Sequence, residues 1–314
     1  MSKALRVAVL GRTEMLLAAA RRVAEAGHAV PLVATCKASD TSAAGEEEFR
    51  RFAESVGADY FCSAAINAPP QLERLRAAGC DIAISMNWLT LIGPQARAAF
   101  PLGVFNAHPG DLPRYRGNAC PNWAILAGEP HVGLCIHQME DALDAGPVAL
   151  RDRLPLDDGT DVEAVYVWLR RRVPELFLQL VQDAAAGPLR LVPQPADQAL
   201  ALRCYPRRPE DSRIDWSRPA AEVQRLVRAS TRPTPGAFTL LEGTRRVTVW
   251  RAEVMPAPGP FLAVPGQVCF AHEGDPVVAC GEGLLRLRDI AVEGCAGERE
   301  SRQAVLASLR NRLV

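Results

Sequence analysis

No stretch of this 314-residue sequence reaches the roughly 18 consecutive apolar residues that a membrane span needs. The amino terminus, MSKALRVAVLGRTEML, runs straight into a strand pattern with no leader-type cleavage site. Both absences point to a cytoplasmic protein with no membrane partner. An excess of one charge is missing too: Lys plus Arg and Asp plus Glu each number 36, a formal net charge of zero. A chain so balanced has no overall field to gather nucleic acid or anionic lipid. The nine cysteines, at 36, 62, 80, 120, 135, 204, 269, 280 and 295, form no C-x-x-C pair and have no histidine at zinc spacing. They read as small core residues, and no metal is expected. Gly11 stands without the rest of a G-x-G-x-x-G pattern, which argues against a dinucleotide site.

What is present is an alternation of strands and helices. Residues 5–10 read as a strand, Gly11-Arg12-Thr13 as a tight turn, 14–26 as a helix stopped by Gly27, and 29–35 as the next strand. A helix over 46–56, a strand over 59–62, a helix over 70–78 and a strand over 81–85 continue the series. The fold class is α/β, a doubly wound, mostly parallel, Rossmann-like sheet. Residues 160–186 open on Thr160-x-x-Glu163, a capping box, and repeat Val162, Val165, Leu169, Val173 and Phe177 at helical spacing. This predicts a long helix, kinked at Pro174. Arg170-Arg171-Arg172 is either a solvated face or a phosphate contact. The Pro- and Arg-rich residues 188–209 read as a linker. After a helix over 219–229, short strands at 236–241, 246–254, 266–270, 277–279 and 284–290 predict a small OB-like β-barrel. The expected domains are therefore 1–187 and 210–314, joined by 188–209.

The chemistry-bearing residues cluster around 103–147. Residues 103–105 read as a buried strand ending in Asn106-Ala107-His108, before the turn residues Pro109, Gly110 and Pro113. Asn106 and His108, two apart on an extended chain, face the same side at a strand's carboxyl end, where open α/β sheets bind ligands. Asp144 lies in the turn 141–147 that follows the apolar run 132–139. An amide that donates without titrating, an imidazole with a pKa near 7 and a carboxylate to orient it are what acyl transfer to an amine uses. No Ser or Cys nucleophile is required, because the amine attacks directly. On residue types alone a second reading stands beside this one: Asn106 and His108 satisfy a strand end, and Asp144 makes an Asx turn.

The run Asn106-Ala107-His108-Pro109, then Leu112-Pro113-Arg114-Tyr115-Arg116-Gly117, then Asp144-Ala145-Gly146-Pro147, with Asn122-Trp123-Ala124-Ile125-Leu126 between, resembles the signature of the folate-dependent formyltransferases. The resemblance implies that Asn106 is the oxyanion donor, His108 the base and Asp144 its partner. It implies N10-formyltetrahydrofolate as cosubstrate. It also implies a pterin pocket made by the loop 86–93, with Trp88, Leu89, Thr90, Leu91 and Ile92, and by backbone of Asp141, Ala142 and Leu143. The other reading of that loop is a cap on the core. Segments 213–216, 235–238 and 247–250 resemble the carboxyl-terminal domain of methionyl-tRNA and aminoarabinose-modifying formyltransferases, so the resemblance spans nearly the whole chain.

Acceptors in this family range over initiator methionyl-tRNA, nucleotide-linked amino sugars and the hydroxylated ornithine of siderophores. Gripping tRNA calls for basic charge, because phosphate contacts dominate affinity. The family's tRNA-binding loop corresponds to 37–54, which holds Lys37, Arg50 and Arg51 against Asp40, Glu46, Glu47, Glu48 and Glu54, a charge of 3 − 5 = −2. The expected acceptor is a small amine, first an amino sugar carried on a nucleotide, next N5-hydroxyornithine, and only third tRNA. Arg12, Arg114 and Arg116 are the candidate donors to the substrate's phosphates; Arg114 and Arg116 alternatively brace the loop after His108. Two readings from other classes remain. A formyltetrahydrofolate hydrolase would use water as acceptor, and a folate-binding protein would bind without turnover.

Overall fold

Val7, Ala8, Val9 and Leu10 are fully shielded from solvent, as a strand covered on both faces must be. The computed structural model describes residues 3–37 and 44–314. In chain order it contains β1 (Arg6–Gly11), α1 (Glu14–Glu25), β2 (Ala29–Thr35), α2 (Glu46–Val56), β3 (Asp59–Cys62), α3 (Pro69–Ala77), β4 (Ile82–Met86), α4 (Pro94–Arg97) and β5 (Val104–His108). There follow β6 (Arg116–Gly117), α5 (Cys120–Ala127), β7 (His131–Gln138), β8 (Val148–Pro155), α6 (Val162–Ala186) and β9 (Arg203–Cys204). Seven strands form one sheet in the order β3-β2-β1-β4-β5-β7-β8. β1 to β5 pair in parallel and β7 lies antiparallel on β5. This is the mostly parallel, Rossmann-like sheet that the βα alternation predicts. The strand order reverses between β1 and β4, so the crevice of such a sheet opens at the carboxyl ends of β1, β4 and β5.

The long helix differs from expectation at its start. Asp161 Oδ1 accepts from Ala164 N at 2.9 Å, whereas Thr160 Oγ1 donates to Asp157 Oδ1 at 2.6 Å. The cap is therefore Asp161, and Thr160 belongs to the preceding Asx turn, which offers its hydroxyl a closer partner. The predicted apolar stripe is present, with Val162, Val165, Leu169, Val173 and Phe177 all fully buried. The helix continues across Pro174.

The carboxyl-terminal part begins with α7 (Ala220–Ser230), followed by β10 (Ala237–Leu241), β11 (Arg245–Met255), β12 (Val268–His272), β13 (Asp275–Ala279), β14 (Leu284–Val292) and α8 (Glu298–Leu306). The five strands pair antiparallel in the order β10-β11-β14-β13-β12. Val247, Val249, Leu285, Leu287, Val268 and Val278 pack beneath Val223 and Val227 of α7. Residues 311–314 join both edges of this sheet: Val314 N donates to the Leu240 carbonyl at 2.9 Å, and Val268 N to that of Asn311 at 3.3 Å.

Backbone proximity divides the chain into two compact units. One runs through the described residues up to Cys120 and includes His131–Leu154 and Tyr166–Cys204; the other holds Pro121–Pro130, Pro155–Val165 and Tyr205–Val314. Residues 188–204 of the expected linker are thus built into the first unit, where Val192 bridges to Val148 and β9 pairs with β6. Six cysteines are buried, as small core residues should be, but Cys62 is exposed on the edge strand β3. Among the described residues no helix is long and apolar enough to cross a membrane.

Candidate active site

β5 ends in two buried polar side chains, Asn106 and His108, 9% and 4% exposed, and burial of that kind requires partners. The antiparallel register supplies one of them, because His137 on β7 lies directly opposite Asn106. Asn106 Nδ2 is 3.3 Å from His137 Nε2. His137 Nδ1 donates to the Gln138 carbonyl at 3.0 Å.

Asp144 joins the two imidazoles. Its Oδ2 is 3.6 Å from His108 Nδ1 and its Oδ1 is 3.5 Å from His137 Nε2. Gly117 N donates to Oδ2 at 2.7 Å. His137 Nε2 therefore faces two partners, the Asn106 amide nitrogen and the Asp144 carboxylate. Burial pushes the Asp144 carboxyl up, but hydrogen bonding from His137, the charges of both rings and the Gly117 N–H together outweigh it and hold the group at about 2. Asp144 is a carboxylate throughout the working pH range.

His108 is poised in the opposite sense. Burial depresses its pKa, while Asp144 and the Tyr115 carbonyl pull it back only in part, so the ring is neutral near pH 7. Its Nε2 lies 2.6 Å from the Tyr115 carbonyl, which accepts a hydrogen bond and so places the neutral ring's proton on Nε2. The lone pair is then on Nδ1, beside Asp144. A proton arriving at Nδ1 meets a carboxylate already in place, which is what a base requires.

The backbone here is bent to hold these groups. Asn87, Tyr115, Ala119 and Asp144 adopt left-handed φ of 56°, 59°, 52° and 50°, and non-glycine residues in that region concentrate at functional sites. A Cβ at Gly110 would stand 2.3 Å from the Tyr115 carbonyl oxygen and 2.6 Å from His108 Nε2, so only glycine lets the loop close over the imidazole. Cys120 Sγ donates to the same Tyr115 carbonyl at 2.9 Å and sits 3.7 Å from His108 Nε2. Hydrogen bonding with the Cys204 thiol, then burial, raises the Cys120 pKa, so it stays a thiol and offers no nucleophile. Among the described residues no cluster of three or more His, Cys, Asp or Glu is placed to hold a metal ion.

Next to this centre, two loops present apolar surface. Leu89, Leu91 and Leu143 are 47%, 66% and 38% exposed, whereas Ile92 points its side chain into the core. Trp88 is half-buried against that core and donates from Nε1 to Thr90 Oγ1 at 3.2 Å. Thr90 Oγ1 in turn donates to the Ala64 carbonyl at 2.9 Å. Asn67 clamps the loop from outside, its Nδ2 donating to the Leu91 carbonyl at 2.8 Å and its Oδ1 accepting from Gly93 N at 2.7 Å. Arg97 Nη1 donates to the Ile92 carbonyl at 2.6 Å, and its Nη2 pairs with Asp141, tying one loop to the other. Ala142, within the second loop, is exposed, and its carbonyl accepts from Ala145 N at 3.3 Å.

Of the arginines singled out from sequence, Arg12 donates to the carbonyls of Asn87 and Lys37, both at 2.9 Å. Arg114 lies over the Tyr115 ring, 5.6 Å from its centroid. Arg116 Nη2 donates to Gln194 Oε1 at 2.7 Å. The structure thus brings Asn106, His108 and Asp144 together and adds His137, Asn67, Arg97 and Gln194, which sequence reasoning missed. For His137 alone there was a local signal, a titratable residue within the apolar run 132–139.

The chain matches the formyl transferase family over residues 5–181 and the formyl transferase C-terminal domain over residues 207–299. A methionyl-tRNA formyltransferase of Symbiobacterium thermophilum is 32% identical to it over 296 residues, 93% of this chain and 89% of that protein. The crystal structure of HypX from Aquifex aeolicus in complex with tetrahydrofolic acid superposes with a TM-score of 0.64 at 17% identity. It covers 98% of this chain, which spans about half the length of HypX, 48%. An N-formyltransferase from Helicobacter canadensis, in complex with folinic acid and dTDP-3-aminofucose, superposes with a TM-score of 0.63 at 13% identity, covering 90% of this chain and 99% of its own.

Proposed function

Because this chain belongs to the formyl transferase family in both its amino- and carboxyl-terminal parts, we propose that it moves the formyl group of N10-formyltetrahydrofolate onto the primary amine of a small molecule, foremost an amino sugar carried on a nucleotide. The observation that carries the reading is the largely shielded Asp144 carboxylate set between the buried His108 and His137, with the buried Asn106 alongside, at the carboxyl edge of the sheet.

N10-formyltetrahydrofolate supplies the formyl carbon. The folate fits the apolar, well-pinned loops: Leu89 and Leu91 with Trp88 and Thr90 offer a slot for a flat heterocycle, and backbone of Ile92, Asp141, Ala142 and Leu143 offers hydrogen bonds. Asn106 has two amide N–H groups, one aimed at His137 and the other available to the oxygen that gains charge as the amine adds to the formyl carbon. His108 Nδ1 takes the proton that the attacking nitrogen must lose, and Asp144 stabilises the resulting imidazolium. His108 then returns that proton to the departing folate nitrogen as its bond to carbon breaks, so the enzyme ends as it began. Arg12, Arg114 and Arg116, held in the folded chain by the Asn87 and Lys37 carbonyls, the Tyr115 ring and Gln194, are the donors proposed for substrate phosphate. The proposed division assigns residues 1–187 to the catalytic domain and 210–314 to the second domain, with residues 188–204 of the stretch between them built into the first compact unit.

The preference for a small amine rests on charge. Of the segment 37–54, Asp40 lies outside the described residues; the described Glu47 and Glu54 pair with Arg50, and Glu47 also with Arg51, so the basic side chains of α2 are already neutralised. A polyphosphate strand beside that surface gains little counterion release. The 32% identity to a methionyl-tRNA formyltransferase favours a second reading, transfer to initiator methionyl-tRNA. Comparing kcat/KM for nucleotide-linked amino sugars, N5-hydroxyornithine and charged initiator tRNA separates the two. A wide margin for tRNA would overturn the small-amine assignment, and rapid formate release without any amine would identify a hydrolase.

A further inference from the structure

Gln194 lies 50 positions beyond Asp144, yet both ends of its amide are engaged at the site. Nε2 donates to the carbonyls of Asp144 and Gly146, each at 2.8 Å, and Oε1 accepts from Arg116 Nη2 at 2.7 Å. The partners fix the amide's orientation, since two carbonyl oxygens require the donor end and a guanidinium the acceptor end. Arg116 precedes Gly117, whose N–H donates to Asp144 Oδ2 at 2.7 Å. A closed circuit therefore runs from the Asp144 carboxylate through Gly117 and Arg116 to Gln194 and back to the Asp144 carbonyl. Two residues earlier the chain is anchored, with Val148 N donating to the Val192 carbonyl at 2.8 Å and Val192 N to that of Val148 at 2.9 Å.

Asp144 needs such support. Its φ of 50° is left-handed, a conformation disfavoured for a residue with a Cβ and held in place by its surroundings. Neither Gly117 nor the two imidazoles holds the carbonyl side of that turn; one primary amide does.

We infer that Gln194 is a positioning residue for proton transfer: by holding the Asp144 and Gly146 carbonyls and Arg116 together, it sets the Asp144 carboxylate against His108. It acts through Asp144 and touches no reacting group. The inference rests on the proposed roles of His108 and Asp144. Its consequence is electrostatic: the carboxylate 3.6 Å from Nδ1 favours the imidazolium, and a displaced carboxylate favours it less.

Gln194→Glu is the discriminating variant. It keeps the size and strengthens the contact with Arg116, but sets a carboxylate oxygen against two carbonyls. A residue needed only to hold Arg116 tolerates that change, and one that must donate to the Asp144 turn does not. In the full-length protein, the His108 imidazole is titrated by NMR in wild type, Gln194→Glu and Gln194→Ala, with the ring signal assigned from His108→Ala. The pH profile of kcat/KM is measured alongside. In both Gln194 variants kcat falls roughly 10- to 100-fold, the scale of an ångström's misplacement; in Gln194→Ala, which adds no charge beside Arg116, the His108 titration and the acidic limb of the profile also move together to lower pH. An unmoved or raised His108 titration in folded Gln194→Ala, or wild-type kcat in folded Gln194→Glu, overturns the inference. Because the titration needs no turnover, it decides the matter even if wild type transfers no formyl group, a result that would instead refute the function.

Discussion

Asp144 Oδ2 lies 3.6 Å from His108 Nδ1, a carboxylate held at about 2 beside an imidazole whose own pKa is depressed by burial. The pair is set for a proton to move onto His108, not off Asp144. Burial favours the neutral ring, and the carboxylate limits how far the ring's basicity falls.

This arrangement fixes the pH response. His108 must be neutral to act as base, so kcat/KM should rise with pH along an acidic limb lying below the ring's ordinary 6.5. Asp144→Asn removes the largest influence that raises the His108 pKa, so the limb should move to still lower pH while kcat drops. A limb that stays in place, or moves upward, would contradict the pairing.

Stability should carry the same signature. The Asp144 pKa falls from 3.8 to about 2 on folding, and nearly two units at about 1.36 kcal/mol each is roughly 2 kcal/mol of stability. Because the folded pKa is the lower one, that contribution is fully present above pH 4 and lost as pH falls toward 2. Tm measured from pH 5 to 2 should therefore decline less steeply in Asp144→Asn than in wild type; equal slopes would show that the carboxylate is not held as described.

Gly110→Ala should cripple the enzyme without touching a chemical group. The added methyl would sit 2.6 Å from His108 Nε2 and must push the ring off the Tyr115 carbonyl. The expected loss in kcat is roughly 10- to 100-fold, from misplacement of the base. Near wild-type kcat would mean that the loop over His108 is looser than the structure indicates.

Reduced folate should raise Tm, by about 2.7 kcal/mol of added stability at a hundredfold excess over Kd, whereas NAD should leave it unchanged. Asn67→Ala releases both the Leu91 carbonyl and Gly93 N and should weaken folate binding, read by calorimetry, with little effect on KM for the amine. A response to NAD alone would contradict the assignment of the crevice.

Much of this was legible in the sequence because it is local. The βα alternation and the apolar stripe from Val162 to Phe177 are written in short-range periodicity, and Asn106 and His108 share a side because they are two apart on one strand. What escaped depends on register or on distant segments. His137 meets Asn106 only through the antiparallel pairing of β5 and β7. Gln194 sits in a stretch whose proline and arginine content suggests a linker, and its side-chain bonds leave no periodic trace. Asn67 and Arg97 serve loops 24 and 44 residues away. The helix cap fell on Asp161, one residue past Thr160, because two neighbouring side chains could each cap and only the folded turn decides between them.

Formyl transfer by Asn106, His108 and Asp144 is tested by a single-turnover measurement from N10-formyltetrahydrofolate to a nucleotide-linked amino sugar by wild type, Asn106→Ala and His108→Ala, with folate binding measured in parallel. Wild type should transfer the group, and each variant should do so more slowly by roughly 100-fold or more with folate affinity retained. Near wild-type rates in the two variants would contradict these catalytic roles.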